Sequence, residues 1–209
     1  MPPTESKPVS PHPPIATERR RVLAQGAALA SLALWPSAWS ATPSTPQSTQ
    51  AFTGLLRQGG CALLIRHAQT EPGTGDPPGF RLGECNSQRL LSLAGREQAR
   101  LMGQWFQKRR LVPAEVLSSQ WCRCRDTAEL AFGRAREWPA LNSTFGDASL
   151  QPAQTQALRE RLQTIAARQF EVWVTHQVNM THLTDEYPAM GEAFVVNRKG
   201  RVVARHVFA

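Results

Sequence analysis

The chain has no lysine-rich tail, no basic repeat and no internal repeat of any kind. Its formal net charge of +8 is spread along the sequence as dispersed arginines. A nucleic-acid binder concentrates its charge on one face or tail, so no nucleic-acid partner is expected. An anionic small ligand accounts for arginines that cluster beside strand ends. Cysteine is scarce, with four in 209 residues, and no pair has the C-x-x-C spacing of a structural zinc site. The one long apolar stretch, from Val22 to Trp35, falls short of the ~20 residues that span a bilayer. No membrane anchor is expected.

What is present at the N-terminus has a different character. Residues 1–18 are proline-rich and polar, a composition that cannot bury a core. Arg19-Arg20-Arg21-Val22-Leu23 then leads into an alanine- and leucine-rich run, and Ala38-Trp39-Ser40 supplies small residues at its exit. This order describes an export signal over residues 1–40. Paired arginines followed by two apolar residues fit the twin-arginine route, with an ordinary secretory signal as the alternative. No cysteine adjoins the exit, so the mature protein is expected to be soluble in a bacterial periplasm. Loss of residues 1–40 removes four basic and two acidic side chains and leaves a net charge of +6. An oxidising compartment permits disulfides. Cys122 and Cys124 are too close to pair with each other, so one bridge from Cys85 to either of them is expected.

Residues 41–54 read as a linker, and the remainder, 55–209, as one catalytic domain. Cys61 to Ile65 is a continuous apolar run, the pattern of a parallel strand buried on both faces. Residues 68–91 form a long loop rich in glycine and proline, and loops of that length are usually functional. Ser92 caps a helix expected over 94–110, with Ala99, Leu101, Met102, Trp105 and Phe106 on one broad face. Strands follow at 115–117 and 170–174, and helices at 121–132, 150–168 and 179–186. A terminal hairpin, 193–197 and 201–207, turns at Lys199-Gly200. Alternating strands and helices imply an α/β fold: a three-layer sandwich with a mostly parallel central sheet, helices on both faces and a C-terminal hairpin.

Three of these strands end alike. The first delivers Arg66-His67, the second Ser118-Ser119 and then Arg123, the third Thr175-His176. Carboxyl ends of parallel strands converge on one crevice, where ligands bind. Each residue alone has an ordinary structural reading, and His182 and His206 are left with it. Together they suit a phosphoryl group. Guanidinium forks match phosphate oxygens, a neutral imidazole can attack phosphorus, and a second can donate to the charge that develops.

The segments LLIRHAQT (63–70), LSLAGREQA (91–99), VLSSQWCRCRDTA (116–128) and VWVTHQVN (172–179), taken in order, resemble the histidine phosphatase (phosphoglycerate-mutase-like) superfamily. The resemblance runs from Leu55 to the C-terminus. Within the superfamily the chain is similar to short exported bacterial phosphatases such as those acting on lipopolysaccharide core heptose. The resemblance implies that His67 becomes phosphohistidine, that Arg66 and Arg123 hold the phosphate, and that His176 completes the pocket. Thr70 and Asn179 would contact phosphate more weakly, or shape the loop and cap a helix. It implies no cofactor and no metal, and a substrate that is a phosphorylated small molecule or a phosphorylated glycan component.

The general acid is the departure. Branches of the superfamily place a carboxylate directly after the second histidine, where this chain has Gln177, or after the second arginine, where residues 141–147 offer only Asp147. Glu71, Asp76 and Glu84 remain in the long loop, and Asp76 is taken as the acid. The resulting expectation is an exported, metal-independent phosphatase. A phosphomutase and a non-catalytic phosphate-binding module are its alternatives, and a metal site built from His67, His176 and Cys122 or Cys124 ranks behind both.

Overall fold

A computed structural model describes residues 49–208. Helix α1 (Thr49–Gln58) is followed by β1 (Cys61–Arg66), α2 (Leu93–Lys108), β2 (Glu115–Ser118), α3 (Cys122–Phe132), β3 (Arg136–Glu137), α4 (Gln151–Thr164), β4 (Phe170–Thr175), α5 (Gln177–Thr184), β5 (Glu192–Asn197) and β6 (Val202–Val207). The six strands form one sheet in the order β3-β2-β4-β1-β5-β6. The first four are mutually parallel, and β5 and β6 form the expected antiparallel hairpin.

Because side chains alternate across a strand, the central strands feed two cores. Leu63, Ile65, Val172 and Val174 face one side, against Phe52 and Leu56 of α1, Met102 and Phe106 of α2, and Ala128 of α3. Ala62, Leu64 and Trp173 face the other, against Leu158 and Leu162 of α4 and Met180 and Leu183 of α5. The result is three layers with α1, α2 and α3 on one face and α4 and α5 on the other. The strongly apolar β1 and β4 sit side by side at the centre, as continuous apolar runs require.

Ser92 caps α2 as expected, its hydroxyl accepting from the Gly95 amide. Gly95 is also where α2 meets the start of the long loop: a Cβ there would lie 1.8 Å from the Gln69 carbonyl oxygen. Several expectations shift. The linker ends sooner than residue 54, because α1 begins at Thr49 and buries Phe52 and Leu56 at helical spacing. Leu101 lies exposed rather than on the buried face of α2. Helix α4 ends at Thr164 instead of 168, since Ile165 turns extended to bury its side chain and Arg168 takes a positive φ. Helix α5 begins at Gln177, two residues before the expected start, with His176 as its capping position. The export-signal expectation for residues 1–40 lies outside the described residues.

Candidate active site

The register explains the convergence. Arg66 pairs with Thr175 in the β1–β4 ladder, and Ser118 pairs with Val174 in the β2–β4 ladder. His67, Ser119 and His176 are therefore the next residues out along three adjacent parallel strands. The ladder continues one step further, with the His67 amide donating to the Thr175 carbonyl at 3.0 Å and the Ser119 amide to Val174 at 3.0 Å. The two imidazole rings meet edge to face at 5.5 Å. Both are buried.

Their tautomers follow from their partners. Nδ1 of His67 lies 2.9 Å from the Ala68 carbonyl oxygen; a carbonyl only accepts, so Nδ1 carries the proton and Nε2 keeps its lone pair. Nδ1 of His176 is 3.5 Å from an Arg123 Nη2 that can only donate. Nε2 of His176 therefore holds the proton and donates to Ser119 Oγ at 2.8 Å. That hydroxyl in turn donates to Asn142 Oδ1 at 3.2 Å, and Asn142 is fixed by Gln120. Burial, with the positive charges of Arg123, Arg66 and Arg89, lowers His67 to about 3 despite the Ala68 contact. Burial and the same three arginines push His176 well below the ordinary imidazole value. Both rings are neutral at neutral pH.

Arg123, in the first turn of α3, points its fork at Asp76. Nη1 meets Oδ1 at 2.7 Å and Nη2 meets Oδ2 at 3.2 Å. The Asp76 carboxylate also accepts from the Arg89 amide at 3.0 Å and from the Trp121 indole at 2.9 Å. Burial alone would raise this carboxyl, but Arg123, the Arg89 amide and the indole outweigh it and hold it below the usual carboxylate range. Asp76 is the anion that Arg123 holds. As an ionised group it cannot donate a proton in this state.

The residues line a cavity of about 850 Å³ with Arg66, Arg89 and Arg123 at its base beside His67 and His176. Arg66 donates from Nη1 to the Pro188 carbonyl at 2.9 Å, and Arg89 from Nη1 to Gly73. Among the described residues, the Nε atoms of all three arginines are buried without a partner. Burial and mutual repulsion lower the pKa values of Arg66 and Arg89. Guanidinium donors gathered without a matching set of acceptors form a receptor for an anion with several oxygens.

Thr70 and Asn179 are not brought to this cavity. Thr70 pairs with Leu91 in an isolated bridge and directs its hydroxyl to the Met190 sulfur at 3.8 Å, closing the base of the long loop. The Asn179 amide donates to the Asn142 carbonyl at 2.9 Å and to Gln154 at 3.2 Å, tying α5 to the segment that follows β3 and to α4. Glu71 is exposed, and Glu84 pairs with Arg81 on the exposed loop; neither lines the cavity, whereas Asp76 and Asp147 do. His182, left as structural in the sequence, lies at the mouth, while His206 packs among Phe52, Trp105 and Phe208. Cys85 bridges Cys122, which removes Cys122 from any metal-ligand set. Cys124 is free, and burial pushes its thiol up to about 12. The sequence reasoning missed Arg89 and the Ser119–Asn142 support behind His176.

Residues 62–194 match the histidine phosphatase superfamily (branch 1). None of the curated proteins compared with the chain matches it. Among solved structures, the protein histidine phosphatase SixA complexed with tungstate is 18% identical, with 70% of this chain and 96% of that one covered at a TM-score of 0.46. Phosphoglycerate mutase from Thermus thermophilus is 21% identical, with 71% and 99% covered at a TM-score of 0.48.

Proposed function

Given that this chain belongs to the histidine phosphatase superfamily, whose members are phosphatases or mutases, we propose that it hydrolyses a phosphomonoester through a phosphohistidine on Nε2 of His67. One observation carries the reading. Nδ1 of His67 is committed to the Ala68 carbonyl, which leaves a neutral Nε2 as the nucleophilic lone pair on a side chain that lines the cavity.

The substrate phosphate takes the place of Asp76 in the Arg123 fork and is held from the sides by Arg66 and Arg89. The Nε2 lone pair then forms the P–N bond while the ester P–O bond breaks, and the leaving oxygen takes a proton. The Nδ1–H···O contact to Ala68 steadies the positive charge the ring acquires. Asp76 supplies the proton. Once displaced from Arg123 it sits beside a dianion, and the nearby negative charge raises its affinity for a proton. His176, relieved of the Arg123 contact at Nδ1, gains a proton there and donates to the transferring phosphoryl oxygens. In the second step Asp76 withdraws a proton from water, the oxygen attacks phosphorus, and the P–N pair returns to Nε2.

Export to the periplasm belongs to the same proposal. It is supported by the arginine-led apolar segment in residues 19–40 and by the Cys85–Cys122 bridge, a linkage favoured in oxidising compartments. The sequence resemblance adds a sugar phosphate of the lipopolysaccharide core as one candidate substrate within the phosphomonoester class.

The test is hydrolysis of an aryl phosphate by the purified protein, with and without chelator, beside His67→Ala. Chelator-resistant turnover that vanishes in the variant, with an acid-labile phosphoenzyme trapped in the parent, is the expected result. Turnover that survives in His67→Ala overturns the mechanism.

A further inference from the structure

The cavity changes character between base and mouth. Around the arginines and histidines its lining includes Phe80, Trp121, Phe145, Leu150, Val178 and Tyr187. These come from four separate stretches: the long loop, the start of α3, the irregular segment before α4, and α5 with the turn after it. Phe80 and Trp121 face each other with ring centroids 5.7 Å apart. Phe145 and Tyr187 are 73% and 71% exposed, so neither ring is consumed by packing. Nine large apolar side chains are exposed among the described residues, and four of them, Phe80, Phe145, Leu150 and Tyr187, edge this one cavity. Such concentration around a pocket marks a contact surface for a ligand.

Three of the polar groups that line the cavity are committed to their own segments. Ser143 Oγ accepts from the Phe145 amide, Asp147 Oδ1 accepts from both the amide and the hydroxyl of Ser149, and Thr181 Oγ1 donates to the Glu186 carbonyl. An apolar leaving group would find walls on several sides.

We infer that the substrate is a phosphomonoester whose leaving alcohol carries an aromatic or similarly apolar group, seated in the collar formed by Phe80, Trp121, Phe145 and Tyr187. This rests on the phosphate-binding floor proposed above and selects among the phosphomonoesters that floor accepts.

Binding to the full chain, followed by calorimetry, separates this inference from the catalytic one, because phosphonates cannot be hydrolysed. The probes are methylphosphonate, 2,3-dihydroxypropylphosphonate and 2-phenylethylphosphonate. The phenylethyl compound is expected to bind at least ~10-fold more tightly than the other two, since a phenyl ring carries most of its transferable surface into the collar. The double variant Phe145→Ala with Tyr187→Ala removes two exposed rings, so its melting temperature should match the parent's. It is expected to bring the three affinities together while leaving methylphosphonate unchanged. Equal affinities in the parent, a dihydroxypropyl compound as tight as the phenylethyl one, or a preference that survives the double variant each overturns the collar. Loss of turnover without loss of this preference bears on the phosphohistidine mechanism alone.

Discussion

Asp76→Asn keeps the shape of the side chain in the Arg123 fork and removes its charge. The pair it breaks is buried on both sides, with side chains 5% and 8% exposed, and taking one partner from such a pair costs about 3–5 kcal/mol. The asparagine oxygen still accepts from the Arg89 amide or the Trp121 indole, which favours the lower end, about 3 kcal/mol. At roughly 2–4 °C per kcal/mol for a domain of this size, the ligand-free melting temperature falls by about 6–12 °C. Phosphate should restore most of that loss, because it supplies Arg123 with the missing anion. It also no longer has to displace a carboxylate, so inorganic phosphate should bind about 10–100-fold more tightly, or ~1.4–2.7 kcal/mol. Turnover moves the other way. An alkyl phosphate, whose leaving oxygen needs a proton, should lose about 10²–10³ in kcat/KM, and p-nitrophenyl phosphate, whose leaving group does not, less than about tenfold. The pH dependence has a fixed sign. Since the folded carboxyl is held down, its contribution to stability is present above the unfolded value of about 3.9 and lost as the pH falls through the lower folded one. Calorimetric melts with and without phosphate, and steady-state rates on the two esters, give all the readouts. Unchanged phosphate affinity, or equal losses on both esters, refutes the displacement account.

The neutral histidines make a second acid limb. The unfolded chain's imidazoles titrate near 6.5 and bind more protons than the folded ones, so stability holds above about pH 6.5 and declines by up to ~1.4 kcal/mol per pH unit for each histidine below it. His67→Asn should remove one histidine's share of the slope between pH 6 and 4 in urea melts; an unchanged slope would mean His67 is already charged in the fold. Arg123→Lys replaces a fork with a point charge and is expected to reduce kcat/KM by about 100-fold or more, ~2.7 kcal/mol, with near-parent activity counting against Arg123 as the phosphate clamp. Replacing Cys85 and Cys122 together with serine opens a crosslink spanning 37 positions, worth about 4 kcal/mol in the chain-entropy account. It also frees the segment bearing Asp76 and Arg89, so KM should rise more than kcat falls, and reductant should do the same to the parent. A variant with the parent's melting temperature and KM would show that the bridge holds neither fold nor site.

Much of the site was legible because it lies on regular structure. The run Cys61–Ile65 could only be a central strand, and parallel neighbours must end at the same edge, so Arg66, His67 and His176 came together from local pattern alone. Arg123 followed from a short strand and the helix after it. Arg89 was hidden in irregular chain, where no periodicity says which way a side chain faces. Its signal was Cys85, four positions earlier: a bridge to Cys122 carries that stretch to the start of α3 and sets Arg89 beside Arg123. Ser119 was visible as a strand exit, but its partner Asn142 sits in a segment without pattern. Asn179 and Thr70 lay in the right motifs and yet serve packing, since a motif fixes position along the chain and leaves side-chain direction to tertiary contacts. Helix α1 was absorbed into an expected linker because it is short, and its apolar spacing gains meaning only against the sheet it covers.

The extra rung that links the His67 amide to Thr175 has a kinetic consequence. It places His67, the proposed nucleophile, at the end of the central β1–β4 ladder, and core strands of this kind exchange their amide protons only when the whole domain opens. Asp76, Arg89 and Phe80 lie on the irregular chain between β1 and α2, and segments of that kind open locally before core strands do. On warming, ligand selection and proton delivery should therefore fade while the reactive imidazole keeps its place, so that affinity is lost reversibly before the capacity to be phosphorylated disappears with the fold.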